Sequence, residues 1–342
     1  MDRKRLLEII SGFGGARVAV LGDLFLDKWL TVDRRLDEPS LETGLTAWQV
    51  VGMRSSPGAA GTVIGNLAAL GAGKVSSVSF VGKDGEGWEL LRGLKERGVD
   101  TRLVTRSARR MTPAYVKPMF TGGSGPEEEG NRIDVRNRTA TPDALQRALA
   151  RGLRSLKGTV DALVVLDQVW EEDTGVVTAA MREEVARFAR ENPEVRVFAD
   201  SRAHIGLFRD VTVKCNQREA ALATGMEPGG AFPEGVFACM DALRGLTGRA
   251  AFVTCGEHGI ACEEEGRKAV VPAVRQTGPI DICGAGDAAM AGIALATCAG
   301  ASPMEAAFVG NLASGVTVRK IGTTGTVSQQ EMLALFDEQS GS

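Results

Sequence analysis

Short apolar runs recur along the chain, many closed by turn residues and followed by a stretch with helical spacing. This is the pattern of repeated βα units feeding a largely parallel sheet. The runs are Arg17–Leu21 before Gly22-Asp23, Val75–Val81 before Gly82-Lys83-Asp84-Gly85, Ala162–Leu166 before Asp167, Val195–Ala199 before Asp200, and Ala251–Thr254 with Gly256 just beyond. Helices are expected over Val63–Leu70, Trp88–Gly98, Pro142–Leu156, Thr174–Glu191, Gln217–Thr224, Ala285–Cys298 and Pro303–Val318. Four of the strands deliver a polar or acidic residue at or just past the carboxyl end, the edge of an open α/β sheet where ligands bind. Two segments break the rhythm, Leu30–Met53 and Met111–Arg138, the second containing Gly122-Gly123-Ser124-Gly125-Pro126. They read as excursions that form a small β-sheet lid over the strand ends, within a single domain spanning 1–342.

Composition narrows the partners. The 342 residues are 44% hydrophobic, 24% charged and 5% aromatic, ordinary for a chain that folds around its own core. Forty Lys and Arg against 43 Asp and Glu give a net charge of -3, so there is no basic excess to neutralise a nucleic-acid backbone. The six cysteines (Cys215, Cys239, Cys255, Cys262, Cys283, Cys298) form no C-x-x-C pair, and His204 and His258 make no ligand spacing with them. Zinc is not expected, and reduced thiols in a cytoplasmic enzyme are. The charged N-terminus lacks a signal-like apolar core, and no run of 18 apolar residues suggests a membrane span.

The most informative stretch is Asp281-Ile282-Cys283-Gly284-Ala285-Gly286-Asp287, a Gly-rich turn opening an Ala-rich helix. Glycines let backbone N–H groups approach an anion, the helix N-terminus adds partial positive charge, and Asp287 places a carboxylate in the first turn. An anion site beside a base suits phosphoryl transfer. The same pattern is equally met by a carboxylate that only complements the helix dipole. A dinucleotide fingerprint is also matched, by Gly284-x-Gly286-x-x-Ala289, but no clear apolar strand precedes it and Asp287 would repel a pyrophosphate. No Walker-type phosphate loop occurs.

With these residues in view, the chain resembles the PfkB (ribokinase-like) carbohydrate kinases over nearly its whole length. The signature Asp281-x-x-Gly284-Ala285-Gly286-Asp287 is joined by Gly22–Asp27 and by Pro57-Gly58-Ala59-Ala60-Gly61 leading into Asn66–Gly71, which resemble the family's sugar-binding elements. Asn216-Gln217-Arg218-Glu219 is similar to its N-x-x-E element, and Thr254-Cys255-Gly256-Glu257-His258-Gly259 to its nucleotide loop. Asn311–Gly315, Lys320–Ser328, the Gly22–Asp27 element and the spacing of Asp200-Ser201-Arg202 to Asn216 look most like the heptose-phosphate kinase branch. The resemblance implies a three-layer α/β/α sandwich with a mostly parallel sheet and a β-lid, and ATP-dependent phosphorylation of a sugar or sugar phosphate with Mg2+. It implies Asp287 as general base, Gly284, Ala285 and Gly286 as the anion hole, and Asp27, Gly58, Ala59 and Thr62 around the sugar. Asn216 and Glu219 would hold the magnesium hydration shell, Thr254, Gly256, Gly259 and Asn311 would line the nucleotide, and Asp281 would neighbour a potassium-like ion. A homodimer joined through the lid is also implied.

Departures from the pattern bear on substrate. The family commonly has Gly where Ala59 stands and Asn where Thr62 stands, and the lysine that follows the third strand in the heptose-phosphate branch is absent from Asp167-Gln168-Val169-Trp170. Lys117, Arg132 and Arg138 are candidates to replace it, though each taken singly reads more readily as a solvated surface charge. Phe25 and Trp170 are candidate sugar-stacking aromatics or plain core. His204 and His258 read as loop residues, and no histidine is placed to activate Cys283. A nucleoside kinase, or a sensor that keeps the fold without turnover, are the alternative functions.

Overall fold

The computed structural model describes residues 1–122, 127–226, 231–322 and 324–340; Gly123-Ser124-Gly125-Pro126 of the expected lid and Thr323 of the C-terminal motif lie outside the described residues. The first third of the chain forms α1 (Arg3–Ser11), β1 (Arg17–Gly22), β2 (Leu24–Asp33), the short β3 (Glu38–Pro39) and β4 (Thr46–Ala47), β5 (Val50–Ala59), α2 (Ala60–Ala69), β6 (Lys74–Gly82), α3 (Gly85–Glu96) and β7 (Asp100–Ser107). The middle forms β8 (Ala114–Thr121), β9 (Glu128–Glu129), β10 (Ile133–Val135), α4 (Asp143–Arg154), β11 (Ala162–Asp167), α5 (Ala179–Glu191), β12 (Arg196–Ser201), β13 (Thr212–Asn216) and α6 (Gln217–Thr224). The last third forms α7 (Glu234–Thr247), β14 (Ala251–Thr254), β15 (Ile260–Glu264), β16 (Arg267–Val271), α8 (Ala285–Cys298), α9 (Pro303–Thr317) and α10 (Gln329–Ser340).

A nine-stranded sheet runs β16-β15-β14-β13-β12-β11-β1-β6-β7. From β14 to β7 every pairing is parallel, and the β15–β16 hairpin closes one edge antiparallel. The central strands β1 and β11 are apolar and buried along nearly their whole length because both faces are covered, whereas the edge strands β7 and β16 carry charged residues. Val18, Val20, Val164 and Leu166 point into a core filled by α1, α2, α8, α9 and α10, whereas Ala19, Leu21, Leu163 and Val165 point into a second core under α4, α5, α6 and α7. These are the three layers expected.

A smaller sheet, ordered β10-β8-β2-β5 with β9 beside β8, stands over the carboxyl edge. It takes up part of 30–53 and 111–138 and also Leu24–Leu30 and Arg54–Ala59. Helix α5 starts at Ala179 rather than Thr174, because Thr178 caps it by accepting the Met181 N–H while the preceding segment is held as a loop by Asp23. No helix among the described residues is long and apolar enough to cross a membrane.

Candidate active site

Gly284 adopts φ 80°, and the chain turns there into α8. The Ala285 N–H folds back onto the Ile282 carbonyl, while the N–H groups of Gly286 and Asp287 meet no protein acceptor among the described residues. They are the orphan donors of a helix start, aimed into a cleft of ≈ 1410 Å³. Asp287 lies at the cleft's floor, partly open to it yet ringed by protein. That burial, reinforced by Asp200 and opposed by Lys214 and Arg202, pushes its carboxyl up to about 7.

On the sugar side, Asp27 of β2 is 9% exposed and no donor among the described residues hydrogen-bonds its carboxylate. Burial raises its pKa, and Lys117, Arg132 and Arg202 hold it down. Gly58 sits across the sheet from Phe25, and any Cβ there would overlap the Asp27 carboxylate, so glycine at 58 is what gives Asp27 its room. Ala59 has φ 52° and ψ -120°, a conformation that L-residues adopt at a cost of about 1–3 kcal/mol. The expected site therefore contains strain where the family commonly carries glycine. Thr62, buried on α2, reaches the anion loop: a Cβ on Gly284 would lie 3.5 Å from its methyl.

The lid cations divide. Lys117 lies 4.0 Å from Glu129 and over the Trp29 ring, and Arg132 is held by Asp134 at 2.6 Å with Tyr115 beneath it, yet both still face Asp27. Arg138 is ion-paired with Glu171 and largely exposed. Phe25 packs as core beside Tyr115, whereas Trp170 is exposed.

On the nucleotide side, Asn216 and Glu219 form a capping box at α6: Asn216 Oδ1 accepts the Glu219 N–H at 2.9 Å and Glu219 Oε2 accepts the Asn216 N–H at 2.8 Å. The motif thus builds the helix start and leaves Glu219 Oε1 for the cleft. Burial and Asp200 raise the Glu219 pKa. One hard carboxylate oxygen beside a phosphate-sized space fits a magnesium ion that keeps most of its waters. Thr254, Gly256 and Gly259 line the same cleft at the β14–β15 turn. Asn311 does too, but its amide nitrogen clamps the Val271 and Pro272 carbonyls at 2.8 and 3.0 Å, so its visible work is to fix the cleft wall. Asp281 accepts the Cys283 and Gly322 N–H groups, tying the start of the anion loop to the segment after α9.

Three residues of this site are not singled out by any motif role. Asp200, the penultimate residue of β12, pairs with Lys214 of β13 at 2.5 Å, both nearly inaccessible. Arg202 donates to Gln168 Oε1, forms no ion pair among the described residues, and faces Asp27, Glu219 and Asp287 together. A lone lysine inside the apolar run Val211–Cys215 was the legible signal. His204 belongs to a neighbouring cluster, with Nδ1 3.0 Å from Asp167, a bond that raises its pKa.

This layered body with a lid sheet and a carboxyl-edge cleft is the ribokinase-like fold. Phosphofructokinase-2 from Escherichia coli, solved with substrates and products, aligns with a TM-score of 0.72 at 16% identity, covering 95% of this chain and 99% of that one. Arabidopsis thaliana ribokinase, complexed with ribose and ATP, aligns at 0.67 and 17% over 94% and 98%. A model of the pfkB family carbohydrate kinases matches residues 16–330. The chain belongs to that family, phosphotransferases with an alcohol group as acceptor. Among curated relatives, the bifunctional protein HldE of Citrifermentans bemidjiense is 29% identical over 98% of this chain, and that of Caulobacter sp. strain K31 is 32% identical over 96%. The chain spans 66% and 64% of their respective lengths.

Proposed function

We propose that this chain transfers the γ-phosphoryl group of ATP to a hydroxyl of a sugar or sugar phosphate, with a heptose-phosphate-like acceptor the leading class and Asp287 the general base. The observation that carries the reading is the position of Asp287: a carboxyl pushed to about 7, beside unpaired helix N–H groups and facing Asp27 of the sugar side. A base with a pKa near the working pH takes a proton most effectively. In the reaction, Asp27 accepts sugar hydroxyls and orients the acceptor. Asp287 accepts the reacting hydroxyl's proton, and the N–H groups of Gly286 and Asp287 stabilise charge on the moving phosphoryl group. Magnesium, held through water by Glu219 and Asn216, would neutralise phosphate charge when bound.

The acceptor's own phosphate is the finer question. The loop after β11 carries Glu171, Glu172 and Asp173 just beyond Asp167-Gln168-Val169-Trp170, the stretch from which the lysine of the heptose-phosphate branch is absent. That shifts the burden to Arg202, whose guanidinium has no carboxylate partner among the described residues and which faces Asp27 as Lys117 and Arg132 do. A nucleoside acceptor has no such need. A cytoplasmic homodimer completes the reading; it is supported by the exposed Val51 and Met53 on β5, the edge strand of the lid sheet.

The test is Mg2+- and ATP-dependent ADP release across sugars, sugar phosphates and nucleosides, with Asp287→Asn as blank and a potassium series alongside. Turnover confined to sugar phosphates is expected, with Arg202→Gln raising their KM about tenfold. Turnover on nucleosides alone would replace the sugar reading. ATP binding with no turnover on any acceptor would favour the sensor.

A further inference from the structure

The amino edge of the central sheet, opposite the active-site cleft, holds a second cavity of ≈ 220 Å³ that shares no lining residue with that cleft. Strand register creates it. β13 begins at Thr212, level with Phe198 of β12, so Arg196 and Val197 lie beyond its start. On the other side Val213 pairs with Ala251, and Arg249, two residues before Ala251, likewise lies beyond that start. The chain enters β13 through a turn at Asp210, where φ is 62°, and leaves a notch between β12 and β14. Strands two places apart are separated by about 10 Å, room for one ring or one alkyl chain. Buried Val197, Phe198 and Phe252 line the notch, with Ala189 of α5 and with Ala301 and Pro303 where α8 passes to α9. The interior is apolar and larger than the roughly 150 Å³ space that admits benzene.

Four charged residues also line it: Arg196, Arg249, Asp210 and Glu263. The acids are already matched. Arg190 holds Asp210 at 2.6 Å and Arg244 holds Glu263 at 2.6 Å, and neither of these arginines lines the cavity. Arg196 and Arg249 have no ion pair and no side-chain hydrogen bond among the described residues. Both are exposed, and a solvated guanidinium needs no partner; what sets these two apart is the apolar chamber between them. A complementary ligand has an apolar body and an anionic end. Asp210 and Glu263 favour one negative charge over two, which selects a carboxylate over a phosphate ester.

We propose that this notch is a binding site for a small aryl or alkyl monocarboxylate, its apolar body against Phe198 and Phe252 and its carboxylate between the Arg196 and Arg249 guanidiniums. The site is independent of the kinase reading, because it lies at the amino ends of strands whose carboxyl ends carry the cleft residues Asp200, Lys214 and Thr254.

The experiment is equilibrium dialysis of radiolabelled phenylacetate against the whole chain, with phenylacetamide, phenyl phosphate and Mg-ADP as competitors. One molecule per chain is expected, with a Kd of about 0.1–1 mM for a ligand of this size. Phenylacetamide, neutral and of the same shape, should compete about tenfold more weakly, and Arg196→Gln/Arg249→Gln should weaken phenylacetate about tenfold. Ala250→Phe, which narrows the mouth, should weaken phenylacetate and phenylacetamide alike. Excess Mg-ADP should leave phenylacetate bound. Absent or unsaturable binding, equal competition by the amide, tighter competition by phenyl phosphate, full displacement by Mg-ADP, or an affinity unchanged in the double variant each overturn the proposal. Should the double variant fail to fold, Arg196→Gln and Arg249→Gln decide singly: each must weaken phenylacetate by about threefold or more.

Discussion

Asp23 and Asp287 stand at the same edge of the central sheet, and burial pushes both carboxyls up to about 7. Their surroundings differ. Asp23 accepts the Val176 N–H at 2.6 Å and the Gln168 N–H at 3.0 Å, and Gly175 packs so closely that a Cβ there would come within 2.6 Å of its oxygen. It fastens the loop after β11 to the passage from β1 to β2. Among the described residues no such bond reaches Asp287, which faces Lys214, Arg202 and unfilled N–H groups across open space. A displaced pKa therefore marks chemistry only where the neighbours are unfinished; where every donor is matched, it marks architecture.

Substitution at each acid separates these roles most sharply. Asp287→Asn should lower turnover about 10³-fold while leaving ATP affinity within a few-fold, measured by coupled assay and calorimetry. Retained turnover would remove Asp287 from the role of base. The comparison extends to pH. If Asp287 must be ionised, kcat/KM should fall about tenfold per unit below pH 7, and Asp23→Asn should leave that limb in place.

Stability should separate the acids in the opposite sense. Each carboxyl holds a proton more tightly in the folded chain, so the folded state binds more protons between about pH 4 and 7, and stability declines as pH rises through that window. Asp287→Asn lifts that decline for one group and should raise Tm at pH 8 by roughly 2–5 °C. Asp23→Asn lifts it too but presents an amide donor to an environment of donors, which costs about 1–3 kcal/mol, so Tm should fall. Equal Tm changes at the two sites would erase the distinction. The smallest effect belongs to the sugar edge: Ala59→Gly relieves a strained backbone for a net gain of about 1 kcal/mol, seen as a Tm rise of roughly 2 °C with turnover unchanged.

The sequence was most legible where the relevant residues are neighbours in it. The anion loop and Asp287 are contiguous, and the run Ala162–Leu166 declares a strand buried on both faces by being apolar throughout. Asp200 and Lys214 stand fourteen residues apart on separate strands, and only the parallel register of β12 and β13 brings them to 2.5 Å. Helix α7 buries Val236, Cys239, Met240 and Leu243 at helical spacing, but Phe237 and Leu246 blur that stripe. The N-x-x-E element acquires its magnesium role only through the resemblance; its spacing is also that of a helix cap, and Asn216 and Glu219 form that capping box.

The passage from β1 to β2 also has a mechanical meaning. One residue, Asp23, separates the last residue of the central sheet from the first of the lid, and Leu24 is paired with Ala59 just where β5 runs into α2. Two backbones laid side by side form a knuckle rather than a swivel, stiff to twist and shear and free only to bend. Asp27 is three residues from that axis and Asp33 nine, so at about 3.3 Å per residue the lever arms differ about threefold. A swing that carries the lid's tip several ångströms moves Asp27 far less, and the carboxylate keeps its bearing on Asp287.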